Sequence, residues 1–175
     1  MLTKCEKVDC IPYVSIDLPY QFTDDRGDFV KFFSANNKPY VIREVFYTFT
    51  NSGLVRGMHL QVGSAASNRY IFIKSGSVHS VFIDLRHSSP SYLHVCEYKT
   101  TSPDQKRFLV PQGVAHGFQA ISDCTIIYMS DKDYSQEFDT GININSLEVN
   151  WELPVSGLSV RDSNLPSLQT FLKVN

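Results

Sequence analysis

Long apolar runs are missing from this sequence of 175 residues, and no stretch approaches the roughly 20 apolar residues of a membrane-spanning helix. The opening stretch, MLTKCEKVDCIPYVSIDLPY, also lacks an apolar core of signal-peptide length, so a cytoplasmic protein with no membrane partner is expected. Cysteine is sparse. Cys5, Cys10, Cys96 and Cys124 form no CxxC pair, which argues against a zinc site or a dithiol motif. Cys96 and Cys124 lie in apolar strand-like runs and are expected as buried free thiols. An excess of one charge is absent too: the formal net charge is −2, so no global field favours nucleic acid, although local arginines can hold a single anionic ligand. No convincing helical period occurs before residue 135, and there is no internal repeat, linker, dinucleotide fingerprint or phosphate loop. The length suits one domain spanning residues 1–175.

What the chain does contain is aromatic and β-prone. Apolar residues make up 42% and charged residues 19%, with 12 Phe and 9 Tyr, a composition that packs a core and excludes disorder. Short β-runs are expected at residues 13–18, 28–33, 41–50, 54–61, 69–74, 77–85, 92–100, 106–110, 117–121 and 125–129, with turn residues between them. Residues 23–27 and 36–39 read as turns. Residues 51–53 and 75–76 are short enough for hairpins. Strands at this spacing predict an all-β antiparallel barrel or sandwich. Beyond residue 134, Ser, Asn, Asp and Pro with scattered apolar residues predict a short helix or loops packed across it.

Two histidine stretches stand out. In RGMHLQ, residues 56–61, His59 sits in a predicted strand with Arg56 upstream and Gln61 downstream; in PQGVAHGF, residues 111–118, His116 falls on a Pro/Gly-marked turn. Taken singly, a strand histidine is more often a packed residue than a catalyst. Strand parity adds a condition: Arg56 and His59, three apart, face opposite sides of a flat strand and reach one site only if the strand bulges near Gly57. His79, His87 and His94 read as structural or solvated. Two histidines without a third ligand do not make a metal site, and none is expected.

RGMHLQ, GSVHSVFIDLRHSSPSY, PQGVAHGF, the Tyr128/Tyr134 pair in YMSDKDY, and LSVRD, in that order, resemble the motifs of the dTDP-4-dehydrorhamnose 3,5-epimerases across residues 24–162. The resemblance implies a cupin-type jelly-roll barrel with a short C-terminal helix/loop extension. It implies His59 as catalytic base, Asp162 as the carboxylate that orients it and Tyr128 as the acid that returns the proton from the opposite face of the sugar. His116 and Tyr134 then belong to the pocket, and Arg26 and Arg56 lie near a nucleotide diphosphate. Three features depart from the family: Arg69 stands for a lysine, Ser80 for an aspartate in the strand after the glycine turn, with Asp84 retained, and the loop before the central strand, residues 51–55, is shorter than the family's usual serine-rich connection. A homodimer with exchanged N-terminal strands is also implied.

The chemistry suits these residue types. A 4-keto group acidifies the hydrogens on C3 and C5; a base of near-neutral pKa can remove one, and the enolate needs positive charge or hydrogen-bond donors beside its oxygen. Arg69 is the expected stabiliser, and no cofactor is required. The expected activity is therefore epimerisation of a nucleotide-diphosphate 4-keto-6-deoxy sugar at C3, C5 or both, in surface-polysaccharide or glycoside biosynthesis. A sugar-nucleotide 3,4-ketoisomerase and a non-catalytic sugar-binding cupin are the alternatives.

Overall fold

β-Branched and aromatic runs bounded by Gly, Asn and Ser account for most of the strands in the computed structural model, which describes residues 6–7, 11–12, 14–34, 41–104 and 106–174. The strands are β1 (Glu6–Lys7), β2 (Ser15–Asp17), β3 (Tyr20–Asp24), β4 (Gly27–Lys31), β5 (Glu44–Thr50), β6 (Val55–Gln61), β7 (Arg69–Ser75), β8 (Ser77–Asp84), β9 (Val95–Thr101), β10 (Arg107–Val110), β11 (Val114–Ala120), β12 (Cys124–Ser130) and β13 (Asp139–Gly141). Two short helices follow, α1 (Val160–Ser163) and α2 (Leu168–Val174). One sheet runs β1-β2-β10-β7-β12-β5, a second runs β13-β6-β11-β8-β9, and β3 pairs with β4 alone. All the ladders are antiparallel. The two large sheets form a cupin-like jelly-roll sandwich that is not closed into a barrel.

Topology corrects the local reading at two turns. The tight turns at residues 51–53 and 75–76 are not hairpins, because β5 and β7 belong to the six-stranded sheet while β6 and β8 belong to the other. Each turn is a corner that carries the chain between sheets. Gly76 takes φ 81°, and a Cβ there would run into the Asp123 carbonyl and Cys124, so the corner is packed too closely for any side chain. Strands β1, β3 and β13 lie outside the predicted runs. His116 sits within β11, not on the turn before it. Tyr13, at the head of one predicted run, and the turn at 36–39 lie outside the described residues.

Burial follows from the layering. Ile71, Ile73, Phe82, Phe108 and Phe118 pack between the sheets. Met58, Leu60, Val81, Ile83 and Ala115 point the other way, against Ile142, Ile144 and Phe171 of the C-terminal tail. The five-stranded sheet is therefore covered on both faces, which is why β11 is buried throughout and has no polar alternation. The outer edge differs: on β5, Val45, Tyr47 and Phe49 are exposed. Cys124 is a buried free thiol whose pKa burial pushes up to about 11. Cys96 is buried but disulfide-bonded, which corrects the expectation of a free thiol there. A disulfide joins residues that strand pattern cannot pair, so the run around Cys96 carried no sign of it. Cys5 and Cys10 lie outside the described residues.

Candidate active site

The site begins with a bulge. His116 lies opposite His59, and Phe118 opposite Arg56, so β6 advances three residues where β11 advances two. The extra residue falls at Gly57–Met58, where Gly57 has φ 113° and the peptide bond is cis. A Cβ on Gly57 would sit 2.5 Å from the Gly117 Cα, and one on Gly117 would sit 2.8 Å from the Arg56 carbonyl oxygen, so the crossing needs two glycines. Arg56 and His59 consequently line the same cavity, of about 350 Å³, as the parity argument required.

Asp162 reaches His59 from α1. The Ser159 hydroxyl accepts a hydrogen bond from the Asp162 amide at 3.0 Å and starts the helix turn. The carboxylate is buried and fully engaged: Oδ1 is 2.7 Å from His59 Nε2, and Oδ2 accepts the Gly57 amide at 3.1 Å. Burial alone would raise its pKa, but the His59 bond and charge, the Gly57 amide and the Ser159 hydroxyl outweigh that and hold it below the ordinary carboxylate value. The bulge and the carboxylate thus fix each other.

The facing wall comes from the six-stranded sheet. Tyr128 on β12 lines the cavity at 8% exposure, and burial pushes its phenol well above the ordinary value; Arg69, Thr48 and Arg56 offset this only in part. The phenol therefore keeps its proton at neutral pH. Thr48, on β5, stands beside it with a hydroxyl that makes no hydrogen bond of ordinary geometry. Arg69 on β7 donates from Nη2 to the carbonyls of His59 at 3.3 Å and Val114 at 3.1 Å, while its buried Nε has no partner. Burial lowers its pKa, yet a guanidinium stays charged. His116 is buried 3.3 Å from the Ser80 hydroxyl; burial, then Arg69 and His59, hold it well below the usual histidine value and keep it neutral. Asp84 is drawn elsewhere, into bonds with Arg86, Ser89 and Ser91.

The rim brings in further residues. Gln61 accepts the Ser135 amide at 2.9 Å and leaves its buried Nε2 without a partner. Tyr134 donates to Asp139 Oδ2 at 3.1 Å, and Arg161 meets the same oxygen at 2.5 Å. Arg56 is braced by Thr50 at 2.8 Å. Of the expected site residues, His59, Arg56, Gln61, Arg69, His116, Tyr128 and Tyr134 line the cavity, and Asp162 stands behind His59. Arg26 does not join them: it lies exposed on the β3–β4 turn, paired with Asp24 at 2.5 Å. Phe46, Asp139 and Arg161 also line the cavity and had not been singled out from the sequence. Arg161 could have been found beside Asp162 in LSVRD, and Phe46 by parity within its run; Asp139, on an unpredicted strand, gave no signal. Among the described residues, no three His, Cys, Asp or Glu side chains gather as a metal set.

A cupin-like jelly roll with this cavity falls in the class of nucleotide-sugar epimerases, enzymes of the isomerase class. Within that class the chain belongs to the dTDP-4-dehydrorhamnose 3,5-epimerase family, whose model matches residues 10–170. It is 30% identical over 164 residues to the dTDP-4-dehydrorhamnose 3,5-epimerase of Shigella flexneri, covering 89% of this chain and 90% of that one. Among solved structures it resembles the Bacillus anthracis enzyme with TDP and pyrophosphate bound (TM-score 0.86, 27% identity, 95% of this chain and 100% of that one). The Mycobacterium tuberculosis epimerase is also similar (TM-score 0.90, 26% identity, 98% and 91% covered).

Proposed function

We infer that the protein inverts C3, C5 or both of a nucleotide-diphosphate 4-keto-6-deoxy sugar, the nucleotide being dTDP as in the names of its relatives. One observation carries this reading: a histidine on one sheet, backed by the Asp162 carboxylate, and a protonated tyrosine on the other line a single cavity. Base and acid on facing walls suit removal of a proton from one side of a sugar carbon and its return from the other, which is inversion. His59 takes the proton. With Nε2 bonded to Asp162, the acceptor is Nδ1, and the carboxylate stabilises the resulting imidazolium. The enolate oxygen is met by Arg69, through its unpartnered Nε, and by neutral His116. Tyr128 then donates its phenolic proton to the carbon.

Arg56, Lys132 and Arg161 supply positive charge around the cavity for the diphosphate. The exposed aromatic face of β5 suits burial against a second copy, and a homodimer is the expected assembly. Exchange of N-terminal strands within it would give Arg26 a route to a partner's cavity. The product suits surface-polysaccharide or glycoside biosynthesis.

The test is incubation with a dTDP-4-keto-6-deoxy sugar in deuterated water, followed by locating the label. Deuterium with inversion at C3, C5 or both is expected. Conversion to a 3-keto sugar would point instead to a ketoisomerase, and tight binding with no label to a sugar-binding protein.

A further inference from the structure

The edge strand β5 presents two different faces. Its odd positions, Val45, Tyr47 and Phe49, point outward, whereas the even positions Phe46, itself 44% exposed, and Thr48 line the cavity. In the β5–β12 ladder Phe46 lies directly opposite Tyr128. Their rings are stacked, with centroids 5.0 Å apart and planes inclined by 12°. Two residues further on, Thr48 stands within reach of the Tyr128 phenol, its hydroxyl making no hydrogen bond of ordinary geometry. Unlike His59, which is fixed by a carboxylate, Tyr128 is met here chiefly by ring packing and by a hydroxyl available to follow its proton.

On this basis we propose that Phe46 is a positioning residue for the reaction inferred above: by stacking on Tyr128 it aims the phenol at the carbon being reprotonated, with Thr48 fixing the direction of the hydroxyl. The inference rests on the epimerase reading and adds to it a residue that governs only the second half-reaction. Phe46 itself transfers no proton. A ring free to rotate displaces the phenolic oxygen, and a misplacement of about 1 Å can cost on the order of 10²-fold. Deprotonation by His59 on the opposite wall does not depend on that ring.

The experiment compares wild type, Phe46→Ala and Phe46→Tyr with dTDP-4-keto-6-deoxyglucose in deuterated water, scoring deuterium entry with and without inversion. Phe46→Ala is expected to lower inversion roughly 10- to 100-fold while deuterium exchange with retention stays within about twofold. Phe46→Tyr, which preserves the stacked ring, should recover most of the inversion. Tyrosine ring resonances, with the Tyr128 signal assigned by its loss in Tyr128→Phe, provide a readout independent of turnover: that signal should move or broaden in Phe46→Ala and return in Phe46→Tyr. Equal losses of exchange and inversion, or an unmoved Tyr128 signal, would overturn the proposal. A wild type that never exchanges would sink the epimerase reading first, before any variant is assayed, and would leave Phe46 no role in turnover.

Discussion

The two walls of the cavity are built to different standards. On the five-stranded sheet, His59 sits on a strand buried from both sides, at a bulge that admits no side chain, against a carboxylate whose two oxygens are both engaged. On the six-stranded sheet, Tyr128 neighbours an edge strand with an exposed outer face, and it is held by core packing and a ring stacked on it. Backbone geometry and charge-assisted bonds hold His59, the proposed base; packing holds Tyr128, the proposed acid. Damage to the first wall should stop the chemistry altogether, and damage to the second should split it.

His59→Ala gives the largest expected effect. Both deuterium exchange and epimerisation should fall by at least about 10²–10⁴-fold, because no other group is assigned to accept the proton. Retained exchange would move the base elsewhere. Tyr128→Phe should lose inversion to a similar degree, about 10²–10⁴-fold, while deuterium still washes in with retention; inversion at the wild-type rate would make Tyr134 the next acid to test.

Asp162→Asn should be milder, roughly 10- to 10²-fold in kcat, since His59 can still accept a proton while its orientation and charge stabilisation suffer. The same carboxylate predicts a pH effect on stability. Its folded pKa lies below its unfolded one, so its contribution is fully present above the unfolded value of about 4 and is lost as pH falls through the lower folded value. Urea titrations should show wild type losing more stability than Asp162→Asn over that acidic window. Equal slopes would mean that the Asp162 contacts do not strengthen the fold.

Gly57→Ala probes the bulge. Overpacking against Gly117 at a positive φ should cost roughly 1–3 kcal/mol in urea unfolding. An unaltered midpoint would show that the crossing can relax. Chelation is the smallest case: EDTA should leave turnover unchanged, since Arg69 and its neighbours, not a Lewis acid, are assigned to the enolate. Activity lost to EDTA and restored by a divalent ion would break that assignment.

Sequence reading went furthest where chemistry is local. Strand runs follow from alternation and β-branching, and the need for a bulge followed from the three-residue spacing of Arg56 and His59. Pairing did not follow, because a two-residue turn looks the same whether it closes a hairpin or turns a corner between sheets. That ambiguity produced the wrong expectation at residues 51–53 and 75–76. His116 was assigned to a turn because Pro111 and Gly113 mark one, but β11 starts directly after them, at Val114. Arg26 was placed at the diphosphate by resemblance alone, and in the single chain its partner is Asp24. Phe46 was hidden for a physical reason: an aromatic on a β-run looks like core until the sheet order reveals which tyrosine lies across from it.

The sheet-to-sheet corners also bear on time. Because successive strands so often leave for the opposite sheet, their partners arrive late: β6 waits for β11, and His59 meets a carboxylate 103 residues downstream. Contacts this distant place the chain among slow folders, which take milliseconds to seconds where local topologies need microseconds. On the ribosome, strands would emerge long before the site could exist. The His59–Asp162 pair closes only when α1, near the end of the chain, has been made, so a nascent chain stopped short of residue 162 carries the histidine without the carboxylate that orients it.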